Sequence, residues 1–261
     1  MPAPLTFRLV GQGIGYSASP AMMTAAFGAL GLPHRYVLAD VTPAMVPATV
    51  ASLREADSGG ANVTVPHKAA VAALMDEVSD VAREAAAVNT VVRQGSRLVG
   101  HNTDMPATVE AIERLCPGGI GRALVLGAGG VSRAVGLALA KVGADGITVL
   151  RRADGSLARL ADEIGAADLL INATPVGTAA DESLVPAELL RPDLAVLDLV
   201  YRPSPTRLVR EARATGARAE DGAAILLGQA WRAFELWLDV PAPVDVMRAA
   251  LAAELGGPGD A

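Results

Sequence analysis

One stretch near the middle of the chain limits the possible folds more than any other. The apolar run Arg122–Leu126 is typical of a buried strand, and Gly127-Ala128-Gly129-Gly130-Val131-Ser132 follows it directly. Helical spacing then continues to about Val142, and Ile147–Leu150 has the composition of a second strand. Two strands joined through a helix are parallel neighbours in one sheet, because the helix returns the chain to the end where the first strand began. The sequence therefore predicts an α/β fold.

The glycine-rich turn also indicates a ligand. Gly127 and Gly129 allow a tight turn and the close approach of a pyrophosphate, and Ser132 stands where a third small residue packs the helix against the strand. The helix that follows begins with free backbone N–H groups and the positive end of its dipole. A turn of this kind between a strand and a helix predicts a dinucleotide-binding site.

The residues after the second strand favour one dinucleotide over the other. An acidic side chain at that position would accept a hydrogen bond from a ribose 2′-hydroxyl and favour NAD. This chain has Arg151 and Arg152 there, and the first acidic residue is Asp154. Because guanidinium groups match a 2′-phosphate, we predict NADP as the cofactor. The alternative is that the two arginines form a solvated surface pair.

A second group of candidate residues lies in the first half of the chain. Gly59-Gly60 is expected to end a helix, and Ala61–Val65 is expected to form a strand. That strand would deliver Lys68 to its carboxyl end, where ligands of open α/β sheets bind. A lysine there could exchange a proton with a carbonyl oxygen during hydride transfer, oriented by a carboxylate such as Asp104. The alternative is an ordinary surface lysine, since sequence alone does not bring the two side chains together.

Ser19 also has two interpretations. It precedes Pro20 and a helical pattern that continues to Leu30, which is typical of an N-cap followed by a proline in the first turn. The other interpretation is that its hydroxyl group faces a polyol substrate. Local pattern alone favours neither of them.

Composition excludes several classes of function. The 261 residues suffice for two modest domains or one large domain, and a formal net charge of −6 without a long basic run argues against nucleic-acid binding. Aromatic residues make up 3%, too few for base-stacking platforms. Cys116 is the only cysteine and none of the three histidines pairs at metal-ligand spacing, so we expect neither an intrachain disulfide nor a metal. Without a signal peptide or an apolar run of membrane length, we expect a soluble cytoplasmic protein that binds no membrane.

Further motifs, taken in chain order, point to one family. They are Ser17-Ala18-Ser19-Pro20, Asn62-Val63-Thr64-Val65-Pro66-His67-Lys68, Ala87-Val88-Asn89-Thr90, Asn102-Thr103-Asp104, Gly127-Ala128-Gly129-Gly130, Asn172-Ala173-Thr174-Pro175-Val176-Gly177, Asp198-Leu199-Val200-Tyr201 and Gly228-Gln229. With these motifs the chain resembles the shikimate dehydrogenase family over nearly its full length. Agreement of so many short motifs in the same order is highly specific.

The resemblance implies two α/β domains with a cleft between them. A substrate-binding and catalytic domain would comprise residues 1–103 together with 237–261, and a Rossmann-type NADP-binding domain would comprise residues 104–236. Between Arg152 and Asp168, however, the chain has room for one short helix where the family has a further helix and strand. We therefore expect the NADP-binding domain to be shortened by a strand on its adenine side, and we expect weakened binding of the dinucleotide.

The resemblance also implies roles for individual residues. Lys68 and Asp104 would form the catalytic pair. Ser17 and Ser19 would bind the carboxylate of the substrate. Thr64, Asn89 and Gln229 would bind its ring hydroxyls, and Tyr201 would lie close to the substrate. The cofactor would contact Gly127, Ala128, Gly129 and Gly130 at its pyrophosphate, Arg151 or Arg152 at its 2′-phosphate, and Thr174, Val200 and Gly222 along the groove.

The implied activity is the reversible, NADPH-dependent reduction of 3-dehydroshikimate to shikimate in aromatic amino acid biosynthesis, by a monomer or homodimer. Two alternatives stay open: a quinate- or aminoshikimate-type dehydrogenase of the same family, and a catalytically weak paralogue that only binds a ligand. Two departures from the family pattern bear on this choice. Gln12-Gly13-Ile14-Gly15-Tyr16 replaces Asn-Pro-Ile-x-His, and Met105-Pro106-Ala107 stands where Gly-x-Gly is expected. Both lie around the substrate and the nicotinamide, so they concern the identity of the substrate more than the type of reaction.

Overall fold

The chain, seen in a computed structural model that describes residues 3–127 and 132–256, divides into two compact units. The first unit contains the described residues up to Asp104 together with Leu227–Glu254, and the second contains Met105–Leu226. The long helix Gly222–Leu238 is divided between the two units at Leu226. The domain boundary predicted at residues 236 and 237 falls within this same helix.

Strands and helices alternate along most of the chain, as the spacing of apolar residues predicts. Those before the glycine-rich turn are β1 (Thr6–Gly11), α1 (Ser19–Ala29), β2 (Arg35–Asp40), a 3-10 turn (Pro43–Met45), α2 (Val46–Ser52), β3 (Ser58–Val63), α3 (Lys68–Ala72), β4 (Glu77–Val78), α4 (Asp80–Ala85), β5 (Thr90–Gln94), β6 (Arg97–His101), α5 (Asp104–Leu115) and β7 (Arg122–Leu126). Those after it are α6 (Ser132–Lys141), β8 (Gly146–Leu150), a 3-10 turn (Ser156–Arg159), α7 (Leu160–Ile164), β9 (Leu169–Asn172), a 3-10 turn (Ala187–Leu189), β10 (Ala195–Asp198), α8 (Arg207–Ala214), β11 (Ala219–Glu220), α9 (Gly222–Leu238) and α10 (Val244–Glu254).

The first unit contains a six-stranded mixed sheet in the order β2-β1-β3-β5-β6-β4. Strands β1, β2 and β3 are parallel, while β5 runs antiparallel to both β3 and β6. The carboxyl ends of β1, β3 and β6 therefore meet the amino end of β5 along one side, which we call the first sheet edge. Backbone hydrogen bonds join its segments, from Thr64 N–H to the carbonyl oxygen of Val10 at 2.8 Å and from Asn89 N–H to that of His101 at 3.0 Å.

Two glycines have a different place from the one predicted. Gly59 and Gly60 do not end a helix; they lie inside β3, which begins at Ser58. A Cβ atom on Gly59 would lie 2.3 Å from the ring of Phe7, and one on Gly60 would lie 2.8 Å from Nε1 of Trp237. The prediction failed because glycine usually interrupts regular structure, whereas these two make room for aromatic side chains that pack against the sheet.

The second unit contains a parallel five-stranded sheet in the order β11-β10-β9-β7-β8. All of its strand pairs are parallel, so their carboxyl ends lie on one side, the second sheet edge. Strand β8 is the neighbour of β7 on one side, and β9, the next strand in the chain, is its neighbour on the other side. In open α/β sheets such a reversal of strand order leaves a crevice beside the carboxyl ends, where nucleotides bind.

Apolar residues cover both faces of the second sheet. Leu124 and Leu126 of β7 belong to one buried cluster, and Ala123 and Val125 belong to another. Because side chains alternate along a strand, the two clusters lie on opposite faces. This burial on both faces explains why the sequence of β7 is a nearly continuous apolar run, as is usual in parallel sheets.

The parallel sheet is short on the side of β8. After Leu150 the chain forms the 3-10 turn and α7, and then crosses to β9 on the opposite side of β7. Within residues 132–256 no strand pairs with the outer side of β8. This agrees with the strand expected to be missing between Arg152 and Asp168.

Two kinds of structure are missing from the described part of the chain. None of its helices has both the length and the apolar character needed to cross a membrane. None of its His, Cys, Asp and Glu side chains gather in a group of three or more that could hold a metal ion.

Candidate active site

Lys68 and Asp104 form an ion pair at the first sheet edge. Lys68 is the first residue of α3, and Asp104 is the first residue of α5. The Nζ atom of Lys68 donates a hydrogen bond to Oδ2 of Asp104 at 2.6 Å. The two side chains are 31% and 24% exposed, so the ammonium group is paired but still accessible to a ligand. The pairing that the sequence left undecided is therefore present.

The backbone beside Lys68 is anchored on two sides. His67 is 1% exposed, and its Nε2 atom lies 2.8 Å from the carbonyl oxygen of Val41. A carbonyl oxygen only accepts hydrogen bonds, so this ring nitrogen carries the hydrogen. The carbonyl oxygen of Lys68 accepts from the N–H of Val88 at 3.1 Å. These contacts confine the freedom of Lys68 to its flexible side chain.

Asn89 holds the residue that precedes Asp104. The Oδ1 atom of Asn89 accepts the backbone N–H of Thr103 at 2.7 Å, and its Nδ2 atom donates to Oγ1 of Thr103 at 2.9 Å. Both residues are buried, with exposures of 2% and 3%. Hydrogen bonds made in both directions, away from water, fix the start of α5 and with it the position of the Asp104 carboxylate.

The polar network continues into the sheet through residues that were assigned no individual role from the sequence. Asn62 donates from Nδ2 to Oγ1 of Thr90 at 3.1 Å, and Thr90 in turn contacts Thr103 Oγ1 at 3.2 Å. The phenol of Tyr36 donates to Oδ1 of Asn62 at 2.7 Å. Burial raises the pKa of Tyr36, so the phenol stays neutral and remains a donor. A signal for this network was present, because asparagine and threonine at buried strand positions need partners.

The two serines predicted to bind the substrate carboxylate lie at the start of α1. Ser19 is the first residue of the helix, its N-cap is Ala18, and no side chain caps this end. The N-cap interpretation of Ser19 is therefore wrong. Instead, the backbone N–H of Ser19 donates to Oγ of Ser17 at 3.3 Å. Proline at the second helical position already limits the number of free N–H groups, which reduces the need for a cap.

Of the remaining predicted substrate residues, Thr64 directly follows β3 at the first sheet edge. A Cβ atom on Gly11 would lie 2.6 Å from Cγ2 of Thr64 and 2.5 Å from Cγ2 of Ile14, so a glycine is needed where these segments meet. Gln229 is 8% exposed and lies on the part of α9 that belongs to the first unit. Tyr201 follows β10 in the second unit.

Of the four residues predicted to contact the pyrophosphate, the structure describes Gly127. It follows β7 with φ +100°, and a Cβ atom there would lie 2.9 Å from the carbonyl oxygen of Ala173 and from Cγ2 of Thr174. Both the backbone conformation and the space therefore demand glycine. Ala128, Gly129 and Gly130 lie outside the described residues.

The predicted groove residues all follow strands at the second sheet edge. Thr174 follows β9, and both its N–H and its hydroxyl group donate to Oδ1 of Asn172, at 3.1 and 2.7 Å. Val200 follows β10, and its carbonyl oxygen accepts the N–H of Gly222 at 2.9 Å. A Cβ atom on Gly222 would lie 2.4 Å from the carbonyl oxygen of Leu199. The close contact between these backbones thus depends on glycine at the start of α9.

Replacing Gly222 with alanine should destabilise the protein. The added methyl group would meet backbone atoms that cannot rotate away, a form of overpacking that costs about 1–3 kcal/mol. Gly136→Ala in α6 is a matched control, because a Cβ atom there has nothing within 4 Å, and this variant should be neutral or more stable. Denaturant unfolding of both variants measures the difference, and equal midpoints would contradict the close contact at Gly222.

Arg151 and Arg152 follow β8 at the same edge and are exposed. The backbone N–H of Arg151 donates to Oγ of Ser156 at 2.8 Å. The N–H of Ser156 donates to Oδ1 of Asp154 at 3.0 Å, and its hydroxyl group donates to the same oxygen at 2.5 Å. Hydrogen bonds from Ser156 hold the pKa of Asp154 below its usual value. The one nearby acid is therefore occupied within the loop, while the two guanidinium groups face solvent.

The fold and these residues together define a class of protein. A parallel sheet with a glycine-dependent first turn and an arginine pair after its second strand is typical of dinucleotide-dependent oxidoreductases. Residues 9–91 match the shikimate dehydrogenase substrate binding domain, and residues 222–252 match the shikimate 5′-dehydrogenase C-terminal domain. With relatives that are more than 30% identical over nearly all of its length, the chain belongs to the shikimate dehydrogenase family.

Individual relatives are similar along the whole chain. The shikimate dehydrogenase (NADP(+)) of Symbiobacterium thermophilum is 39% identical over 276 residues, which cover 95% of this chain and 94% of the relative. The structure of shikimate 5-dehydrogenase from Thermus thermophilus in complex with NADP(H) and shikimate has a TM-score of 0.83 and 38% identity, covering 96% of this chain and 100% of that one. Quinate dehydrogenase from Corynebacterium glutamicum in complex with NAD has a TM-score of 0.85 and 31% identity, covering 96% and 100%.

Proposed function

We propose that this protein is an NADP-dependent shikimate dehydrogenase, which reversibly reduces 3-dehydroshikimate to shikimate. The observation that carries the proposal is the hydrogen-bonded pair of Lys68 and Asp104 at 2.6 Å, at the edge of the sheet in a member of this family. A paired yet accessible ammonium group is suited to exchange a proton with a ring oxygen. The resulting product would serve aromatic amino acid biosynthesis.

Lys68 has one chemical task in this reaction. NADPH, when bound, supplies the hydride that is added to the carbonyl carbon of the substrate. Lys68 donates a proton to the carbonyl oxygen as negative charge develops there, so that hydride and proton together convert the ketone into an alcohol. Asp104 orients the ammonium group and stabilises its charge, and in the reverse direction Lys68 takes the proton back.

The first unit is the proposed substrate-binding domain. Support comes from the match of residues 9–91 to the family's substrate binding domain and from the position of Thr64 in the short segment between β3 and Lys68 at the first sheet edge. Ser17 and Ser19 are proposed to bind the carboxylate of the substrate. Thr64, Asn89 and Gln229 are proposed to bind its ring hydroxyls, and Tyr201 is proposed as a further substrate-binding residue.

The second unit is the proposed NADP-binding domain. Gly127 fits a pyrophosphate because only glycine leaves its backbone open beside Ala173 and Thr174. Ala128, Gly129 and Gly130 are proposed to continue this contact, with Thr174, Val200 and Gly222 along the groove. Arg151 or Arg152 is proposed to bind the 2′-phosphate, because both are exposed beyond β8.

The surroundings of the enzyme are part of the same proposal. We infer that it acts in the cytoplasm as a monomer or homodimer, consistent with a biosynthetic role and with a single cysteine that is buried. Light scattering coupled to size-exclusion chromatography distinguishes the two oligomeric states.

Parallel rate measurements with shikimate and quinate, each with NADP⁺ and NAD⁺, test the function. We expect the largest kcat/KM for shikimate with NADP⁺, at least about 10-fold above the other three pairs, since 10-fold requires only about 1.4 kcal/mol of differential binding. A preference for quinate with NAD⁺ would identify a quinate dehydrogenase instead. Absence of turnover with all four pairs, despite measurable binding of NADPH, would indicate the ligand-binding paralogue.

A further inference from the structure

A buried carboxylate in the second unit belongs to none of the proposed contacts. Asp198, the last residue of β10, is 1% exposed and is the register partner of Asn172, the last residue of β9. Its Oδ1 atom accepts from Nδ2 of Asn172 at 2.8 Å and from the backbone N–H of Val200 at 3.1 Å. Its Oδ2 atom accepts from Oγ1 of Thr206 at 2.8 Å. The two oxygens therefore hold different parts of the unit.

The Oδ1 side leads to the proposed cofactor groove. Asn172, held by Asp198, accepts the N–H and the hydroxyl group of Thr174 at its own Oδ1 atom. Thr174 Oγ1 then accepts the N–H of Val176 at 3.2 Å, so this turn is closed by side-chain hydrogen bonds. The methyl group of Thr174 occupies the space beside Gly127, where the glycine-rich turn begins.

The same oxygen also orients the segment after β10. The N–H of Val200 is held by Asp198, and the carbonyl oxygen of Val200 accepts the N–H of Gly222. The Oδ1 atom of Asp198 thus connects the segments after β9 and β10 directly. Through Thr174 it is linked to the segment after β7, and through Val200 to the segment after β11. These segments contain every described residue of the proposed groove apart from the arginines.

The Oδ2 side has a purely structural partner. Thr206 is the N-cap of α8, where its hydroxyl oxygen accepts the N–H of Val209 at 3.3 Å. Burial raises the pKa of Asp198 in spite of its three hydrogen-bond donors, with a further contribution from Asp221. A helix cap alone does not need a buried carboxylate, which is costly to remove from water.

We propose that Asp198 is a positioning residue for NADP(H) binding, acting through Asn172 and the N–H of Val200. This inference rests on the proposed function. Asp198 need not touch the cofactor. It fixes the backbone and the Thr174 side chain against which the dinucleotide lies, so its contribution is to affinity for NADP(H) rather than to the chemical step.

Four variants separate the two sides of Asp198. In Asn172→Ala the link to Thr174 is lost, and we expect the Kd of NADPH to rise by about 10- to 30-fold, because hydrogen bonds to charged groups are among the stronger ones. In Thr206→Val the Oδ2 contact and the cap on the N–H of Val209 are lost, while both Oδ1 contacts stay, and we expect a lower unfolding midpoint with the Kd of NADPH within about 2-fold of the wild type. Asp198→Asn keeps an acceptor toward Asn172 and Val200, and should bind NADPH within about 3-fold of the wild type, whereas Asp198→Ala should resemble Asn172→Ala.

Fluorescence titration with NADPH and steady-state kinetics give the readouts. In Asn172→Ala, kcat for shikimate oxidation at saturating NADP⁺ and the KM of shikimate should stay within about 2-fold of the wild type, since the catalytic pair lies in the first unit. Wild-type affinity in Asn172→Ala, or an equal loss of affinity in Thr206→Val, would refute the positioning role while leaving the proposed function intact. Failure of the wild-type protein to bind NADPH would instead overturn the proposed function and this inference together.

Discussion

Lys68→Ala should lower kcat for shikimate oxidation by about 10²- to 10⁴-fold, the usual range for loss of a general acid–base group. The KM of shikimate should change much less, because the carboxylate and hydroxyl contacts are assigned to other residues. Folding should be nearly unaffected, since an ion pair that is about one-quarter to one-third exposed contributes about 0–1 kcal/mol. Absorbance of NADPH under saturating conditions measures the rate, and thermal unfolding measures the stability.

The chain offers a matched control for this variant. Lys68 and Lys141 are its only two lysines, and Lys141 lies exposed at the end of α6. Lys141→Ala removes the same side chain and should keep the wild-type kcat. A Lys68→Ala variant with an unchanged rate would remove Lys68 from the mechanism.

A double-mutant cycle tests whether Lys68 and Asp104 act together. Removing either partner breaks the same 2.6 Å hydrogen bond. If the carboxylate works by orienting the ammonium group, the double variant Lys68→Ala/Asp104→Ala should be scarcely slower than Lys68→Ala alone. Additive losses would mean that Asp104 has a separate task.

The sequence predicted the second unit more accurately than the first. Strand Arg122–Leu126 has the bounds predicted for it, and strand Gly146–Leu150 begins one residue before the predicted Ile147, because apolar runs are strong local signals. The error at Gly59 and Gly60 arose from contacts made across the fold. The rings of Phe7 and Trp237 demand glycine in β3, and residues so distant in the chain leave no local pattern.

The candidate site shows the same division between local and distant effects. The motifs around Lys68 and Asp104 were evident, but their contact depends on the pairing of β3, β5 and β6 and could not be derived from spacing. Ser19 was open to misinterpretation as an N-cap because a serine before a proline is a common local pattern. The supporting partners Asn62, Thr90 and Asp198 belong to the motifs but received no individual role, because their importance follows from burial, which appears only in the folded chain.

Because the connection after β8 is short, the affinity for NADP(H) should depend more strongly on Arg151 and Arg152. With no strand outside β8 in the described residues, the adenine end of a dinucleotide has less sheet edge to lie on. Arg151 and Arg152 are exposed, and the acid Asp154 is held by Ser156. Recognition of the 2′-phosphate would then supply a large share of the affinity for NADP(H).

Arg151→Ala/Arg152→Ala should therefore raise the KM of NADPH by about 10- to 100-fold, because charge-assisted hydrogen bonds each contribute about 1.5–3 kcal/mol. The KM of NADH should stay within about 2-fold, since NADH lacks the 2′-phosphate. Arg159→Ala is the matched control: it removes an arginine from the same connection, where it pairs with Glu163 at 3.1 Å, and should leave both cofactors unaffected. An equal loss with NADPH and NADH would mean that the arginines act on the loop rather than on the phosphate. An unchanged KM of NADPH would make them the solvated surface pair.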